Sequence, residues 1–362
     1  MSLTPNQKEE IALEVIKVLK KRFQSFPDEN SIIRNAPFHK AFLAAFSDKI
    51  AVTQENNNFF ISLSSWYHGL NTTLGQSFFE NIANLLCNGE KRAWTSSGNK
   101  KPLKIPNTQK QIINDIITAL SNSQRTPDDK QEWYEIMNAE DSPLVNAVDF
   151  SADIFFEDNT SITAIELKSV RPNSGEMRGE KQKILEAKAG LHRLYRGKEI
   201  KFFLGFPFDP TVDIQKGEDE CSYDKDRFLN SLVNGKKYFD KAEILIASEL
   251  WDFLSGSLHT MEEILTIINN IATPNFEKEF DLVSSYNLSK NENYETLLSI
   301  LDRWCLFSEI EIIKARNILI ANPNNDSHLM RLLNQQCFDS EGKINKRRQH
   351  YLLEYIHQLN NT

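Results

Sequence analysis

Apolar residues recur every three to four positions over residues 5–25, where Ile11, Val15, Ile16, Val18 and Leu19 form a stripe. This spacing predicts an amphipathic helix. The same period predicts helices over 40–50, 72–88 and 107–121. In the second of these Thr72 or Thr73 is placed to cap the helix and Gly89 to stop it. The polar, basic stretch 89–105 reads as a loop. The period then changes. Residues 149–156 and 161–170 read as strands on either side of a turn at Glu157-Asp158-Asn159-Thr160. A helix from about 177 to 195, short apolar strands at 201–206 and 242–247, and a helix over 258–272 follow. Beyond Pro274 the chain turns helical and polar. The pattern therefore predicts an α/β fold, a central mixed sheet with helices on both faces, over residues 1–273, with a helical C-terminal region over 274–362.

Composition alters this picture in one respect. At 40% hydrophobic and 25% charged the chain is ordinary for a soluble protein. No apolar run approaches the roughly 18 residues of a membrane span, and the first 21 residues hold no apolar signal core. A cytoplasmic protein with no membrane partner is expected. Cys87, Cys221, Cys305 and Cys337 lie far apart and form no CxxC pair, so reduced thiols are expected. The net charge of −8 argues against a general nucleic-acid binder unless positive charge is concentrated in one place. Residues 168–201 concentrate it, with ten lysines and arginines against four glutamates. A solvated helix of mixed charge is the alternative reading of that segment.

The hairpin of 149–170 carries the candidate chemistry. Side chains alternate faces along a strand, so Glu166 and Lys168 share one face with Ala164 while Ile165 and Leu167 point the other way. Asp149 and Asp153 share a face of the first strand. With a turn at 157–160, Asp153 falls opposite about residue 164 and becomes a diagonal neighbour of Glu166. Two carboxylates can hold Mg²⁺, with water and phosphate oxygens completing its shell. The ion neutralises charge on a scissile phosphate and acidifies a water. Lys168 beside it can orient that water or help deprotonate it, since a nearby cation and a dry cleft lower a lysine pKa. Glu80, mid-helix beside Phe78 and Phe79, needs a partner for its charge, and the metal site or Lys168 would provide one. The bare pattern, Asp and then Glu-x-Lys, is weak, because Glu-x-Lys is common by chance. No GxxxxGK phosphate loop, HExxH zinc pair or GxSxG elbow is present, which removes ATP-driven, zinc-peptidase and α/β-hydrolase chemistry.

The segment Ile165-Glu166-Leu167-Lys168-Ser169-Val170-Arg171-Pro172-Asn173-Ser174-Gly175-Glu176 resembles the catalytic strand and following turn of TdeIII-type type II restriction endonucleases. Asn35-Ala36-Pro37-Phe38-His39, Leu70 to Glu80, Phe206-Pro207-Phe208-Asp209-Pro210 and Leu250 to Gly256 resemble further segments of that family, in the right order across about residues 30–270. The resemblance implies a PD-(D/E)xK nuclease fold. Asp153, Glu166 and Lys168 take its acidic, acidic and basic positions, with Asp153 and Glu166 as metal ligands; Glu80, from its helix position and not from the resemblance, is a further candidate catalytic carboxylate, with a rim glutamate as the alternative reading. Ala152 stands where the family has proline, which leaves Asp149 as an alternative to Asp153. The resemblance also implies Mg²⁺, double-stranded DNA with a short interrupted GC-rich palindrome of the GGNCC kind, and a cognate DNA methyltransferase. A palindrome calls for a homodimer. Arg171, Asn173, Arg178, Lys181 and Lys183, just after the catalytic strand, are the expected DNA contacts. A repair nickase or junction resolvase on the same core, and a non-catalytic DNA-binding protein, are the alternatives.

Overall fold

Ile154, Phe155, Ile162, Ala164 and Ile165 are each at most 1% exposed, so the two runs that carry them lie at the centre of a sheet covered on both faces. The computed structural model describes residues 2–27, 57–99, 101–168, 174–289, 294–321 and 327–360. The strands in chain order are β1 (Glu90–Trp94), β2 (Lys104–Pro106), β3 (Leu144–Asn146), β4 (Phe150–Glu157), β5 (Ser161–Leu167), β6 (Glu199–Phe206) and β7 (Ile244–Ile246). Five of them form one sheet in the order β1-β4-β5-β6-β7, and β2 pairs with β3 separately. β1, β4 and β5 run antiparallel in sequence, whereas β5, β6 and β7 are parallel. Parallel neighbours need a crossover, and the helix Ser174–Leu194 supplies it between β5 and β6. That helix lies close to the rest of the layer: a Cβ on Gly190 would stand 2.7 Å from Leu103 Cβ. The mixed sheet flanked by helices bears out the expected α/β fold.

The hairpin turn is tighter than the sequence pattern predicts. Asp158 accepts hydrogen bonds from the backbone N–H of Thr160 and of Ser161, both at 2.7 Å, and from the Ser161 hydroxyl. Glu157 therefore remains in the ladder opposite Ile162, and Phe155 pairs with Ala164. Continued one pair beyond Ile154 and Ile165, this register sets Asp153 directly opposite Glu166 rather than diagonal to it.

Two other segments differ from expectation. Residues 90–94 are an edge strand and not loop, because Trp94 is buried and stacks on Phe150 with ring centroids 4.9 Å apart. The helix expected to begin near Thr72 begins earlier, as Asn57–Thr73, passes through a π turn at Leu74–Phe78 and continues as Phe79–Cys87. Thr72 and Thr73 hydroxyls bond back to the carbonyls of His68 and Gly69, so neither is a cap. The helix expected over 40–50 and the motif Asn35–His39 lie outside the described residues.

The chain forms two compact units, one from the described residues of 1–3 and 79–263 and one from those of 4–78 and 264–362. The first holds both sheets. The second is helical, and its packing cuts across the boundary at 273 that the sequence pattern suggests. Thr4 and Gln7 form a capping box at the start of the helix Pro5–Gln24. Ile11, Ala12, Val15 and Ile16 of that helix are buried, and Phe23 stacks on Phe276, which stacks on Trp304. Arg348 closes this unit's interior by donating to both oxygens of Glu309, at 3.0 and 2.9 Å, and to the Tyr286 hydroxyl at 2.9 Å. All four cysteines are free thiols. Among the described residues no helix is long and apolar enough to cross a membrane.

Candidate active site

The C-terminal end of β5 is where the sheet's cover opens. From Ser161 to Ile165 the strand is buried, but Glu166 and Leu167 are only partly so. Lys168 continues the ladder by donating its backbone N–H to Gly205 O at 2.8 Å. A glutamate and a lysine two positions apart are thus held on a rigid strand end, one facing Asp153 of β4.

Asp153 is fixed on both sides. Its Oδ2 accepts from the Leu167 N–H at 3.0 Å, and its Oδ1 lies 2.9 Å from Lys91 Nζ. Lys91 also reaches Glu80 Oε2 at 2.9 Å, so one ammonium bridges the two carboxylates. Asn84 ties the helix that carries Glu80 to β4, donating to Glu80 O at 3.0 Å and to Asp153 O at 2.9 Å. Asp149 is elsewhere: its carboxylate accepts from the Ser96 N–H and hydroxyl, which hold its pKa below the ordinary value.

Glu166 Oε1 faces two lysines, Lys183 at 3.1 Å and Lys168 at 3.4 Å. Its Oε2 is buried and has no hydrogen-bond partner. Burial raises the Glu166 pKa, a tendency that Lys183 opposes and Asp153 reinforces. Lys168 contacts Glu180 at 3.1 Å and Glu176 at 3.3 Å as well, and Lys183 contacts Glu180 at 2.6 Å. Burial works against the charge of Lys168, but Glu166, Glu180 and Glu176 outweigh it and hold the ammonium above the ordinary lysine range.

Among the described residues no three His, Cys, Asp or Glu side chains converge as a ready metal cluster. A hard divalent cation does not require three. It binds through one or two carboxylates and fills its remaining positions with water and phosphate. Asp153 and Glu166 offer only oxygen ligands, and the unbonded Glu166 Oε2 is an atom a cation would satisfy. The residues present fit such an ion.

Residues 3–272 match the family described as "Type II restriction endonuclease, HinfI". The chain belongs to this family. A relative along the whole length, Type II restriction enzyme MjaII of Methanocaldococcus jannaschii, is 43% identical over 371 residues, covering 98% of each chain. No solved structure matches. The protein is a type II restriction endonuclease, a site-specific nuclease acting on double-stranded DNA.

For a restriction endonuclease the lysines of the helix Ser174–Leu194 are placed unexpectedly. Lys181 is fully buried between Glu132 and Glu243, 2.5 Å from each, and cannot reach DNA. Lys188 is buried against Asp129 at 2.6 Å and lies over the Trp133 ring. Lys183 turns to Glu166 and Glu180. The expectation that Lys181 contacts DNA is corrected accordingly, because its side chain is interior; Lys183 belongs to the carboxylate cluster. Arg178 is exposed, and Arg171 and Asn173 lie outside the described residues. The structure brings Asp153, Glu166, Lys168 and Glu80 together. Sequence reasoning missed Lys91, Asn84, Glu176 and Glu180. Glu176, Glu180 and Lys183 fall at i, i+4 and i+7 on one helix face, whereas Lys91 carries no such signal, since the register of its strand shifts between Glu90 and Arg92.

Proposed function

We propose that this restriction endonuclease hydrolyses DNA with Mg²⁺ held by Asp153 and Glu166, and that Lys168 is its catalytic lysine. The observation that carries the reading is the register that sets Asp153 opposite Glu166 at the strand end from which Lys168 projects. A cation bound there would neutralise charge on the scissile phosphate and make a bound water more acidic. Lys168, projecting beside that ion, would orient the attacking water or help deprotonate it. Lys183 balances the charge of Glu166 on the side facing the helix. Before the ion binds, Glu80 orients Lys91, which holds the Asp153 carboxylate. The catalytic work lies within residues 1–273; residues 274–362 add helices to the second unit.

The resemblance of residues 30–270 to TdeIII-type enzymes supports a short interrupted GC-rich palindrome of the GGNCC kind as the site, protected by a cognate methyltransferase. A two-fold site supports a homodimer with two catalytic centres. Arg178, exposed near the start of the helix after β5, is placed to meet DNA at the surface. The decisive experiment incubates the enzyme with phage DNA and Mg²⁺ and sequences the fragment ends. Cleavage should occur with Mg²⁺ or Mn²⁺, while Ca²⁺ should support binding without cutting. Full cleavage in excess EDTA would sink the metal mechanism, and fragment ends without a shared GC-rich palindrome would sink the site.

A further inference from the structure

Three lysines surround the carboxylates at the end of β5, and they are not equivalent. Lys168 and Lys183 are 16% and 17% exposed and shared among Glu166, Glu176 and Glu180. Lys91 is 53% exposed on the edge strand β1, yet its two partners Glu80 and Asp153 are each 17% exposed. An ion pair with one exposed member is weak and easily exchanged, because the departing side chain regains water and rotamer freedom. The carboxylates it would leave behind are poorly hydrated and need another cation.

We propose that Lys91 is a tethered placeholder cation: in the metal-free enzyme its ammonium occupies the place between Glu80 and Asp153, and it yields that place when a divalent ion binds. This rests on the reading of Asp153 as a metal ligand. Lys91 holds the Asp153 carboxylate in place before the ion arrives, which spares the free enzyme two apposed, unpaired carboxylates. The cost is competition, since each ion that binds must displace the ammonium from Asp153. Lys91 is a positioning residue, and its effect is on ion affinity before it is on chemistry.

The test measures Mn²⁺ binding by electron paramagnetic resonance in the absence of DNA. Lys91→Met keeps the stem and removes the charge; it should bind Mn²⁺ about fivefold more tightly than the wild type, the scale of two partly exposed ion pairs. Lys91→Arg should match the wild type. Unchanged or weaker binding by Lys91→Met overturns the proposal. Should that variant fail to fold, the wild type decides. Acetylation of Lys91, read by mass spectrometry, should rise on adding Ca²⁺ while that of the distant, 81% exposed Lys216 stays constant. Lys91 labelling that ignores Ca²⁺ overturns the proposal equally. A wild-type enzyme that binds no divalent ion overturns the metal reading itself and this inference with it, whereas ion binding indifferent to Lys91 removes only the placeholder.

Discussion

Lys181 and Lys183 stand two residues apart on one helix and meet opposite fates. Two residues are about 200° of helical turn, so the two side chains leave from opposite sides. Lys181 enters the interior, where Glu132 and Glu243 lie 2.5 Å from its ammonium and all three side chains are at most 2% exposed. Burial opposes its charge, and Glu243 and Glu132 outweigh that opposition. Burial in turn raises the pKa of Glu243 to about 7. Lys183 enters the open cluster with Glu166 and Glu180, at 17% exposure. The chemistry of the two clusters is the same, lysine among glutamates. They differ in access. The closed cluster cannot exchange its partners without a cavity or a bare charge, so it locks the helix to Asp129–Met137 and to the residues before β7. The open one retains an unbonded carboxylate oxygen, Glu166 Oε2, and can admit an ion and a phosphate.

The sharpest way to break this comparison is to remove the closed cluster's cation. Lys181→Ala should destabilise the enzyme by about 3–5 kcal/mol, because two buried carboxylates lose their counter-ion. Urea unfolding measures it, and a loss below about 1 kcal/mol would mean that water reaches the cluster. Lys181→Met combined with Glu132→Gln and Glu243→Gln should recover much of the loss, since apolar and neutral groups bear burial better than a broken ion cluster.

In the open cluster the same kind of change should spare stability and cost turnover. Lys168→Ala should reduce single-turnover cleavage about a hundredfold or more, the scale of general acid–base and positioning effects, while the unfolding midpoint and DNA affinity stay close to wild type. Wild-type cleavage by that variant removes Lys168 from the mechanism.

Arg178 is the mildest case, an exposed cation with neither cluster around it. If it meets only phosphate, Arg178→Ala should weaken binding to all sequences alike and flatten the salt dependence by about one unit of slope. If it grips a guanine edge, the loss should be about 1–3 kcal/mol at one base position. Affinities at several salt concentrations separate the two, and an unchanged affinity and slope would show that the DNA does not pass Arg178.

Much of the fold was legible from local pattern. The hairpin, the helix after it, the two parallel strands and the helix at 107–121 follow from side-chain period, which the backbone imposes within a few residues. The Glu166-x-Lys168 pair on one strand face and Asp153 as a candidate partner were legible for the same reason, and the longer stretches that resemble restriction endonucleases made the class legible. The exact partner of each charge was not. Asp153 meets Glu166 because Asp158 tightens the turn and moves the register by two, a choice made by four hydrogen bonds to one side chain. Lys91 reaches the site only because Trp94 turns an apparent loop into an edge strand beside β4.

The sequence by itself determined which residues share a strand or helix face, since that depends on periods of 2 and 3.6 residues. Only the tertiary structure decided which face meets the core, which meets the site and which meets water. A run of lysines and glutamates reads as one basic, solvated helix until neighbouring elements pack against it. Packing then buried Lys181 and Lys188, gave Lys183 to Glu166 and left Arg178 outside. Likewise the apolar stripe of Pro5–Gln24 announces a buried face but does not name its cover, which comes from helices more than 250 residues later in the chain, at Phe276 and Ser308. Burial free energy depends on area removed from water and not on which segment removes it, so distant partners leave no mark in the local pattern.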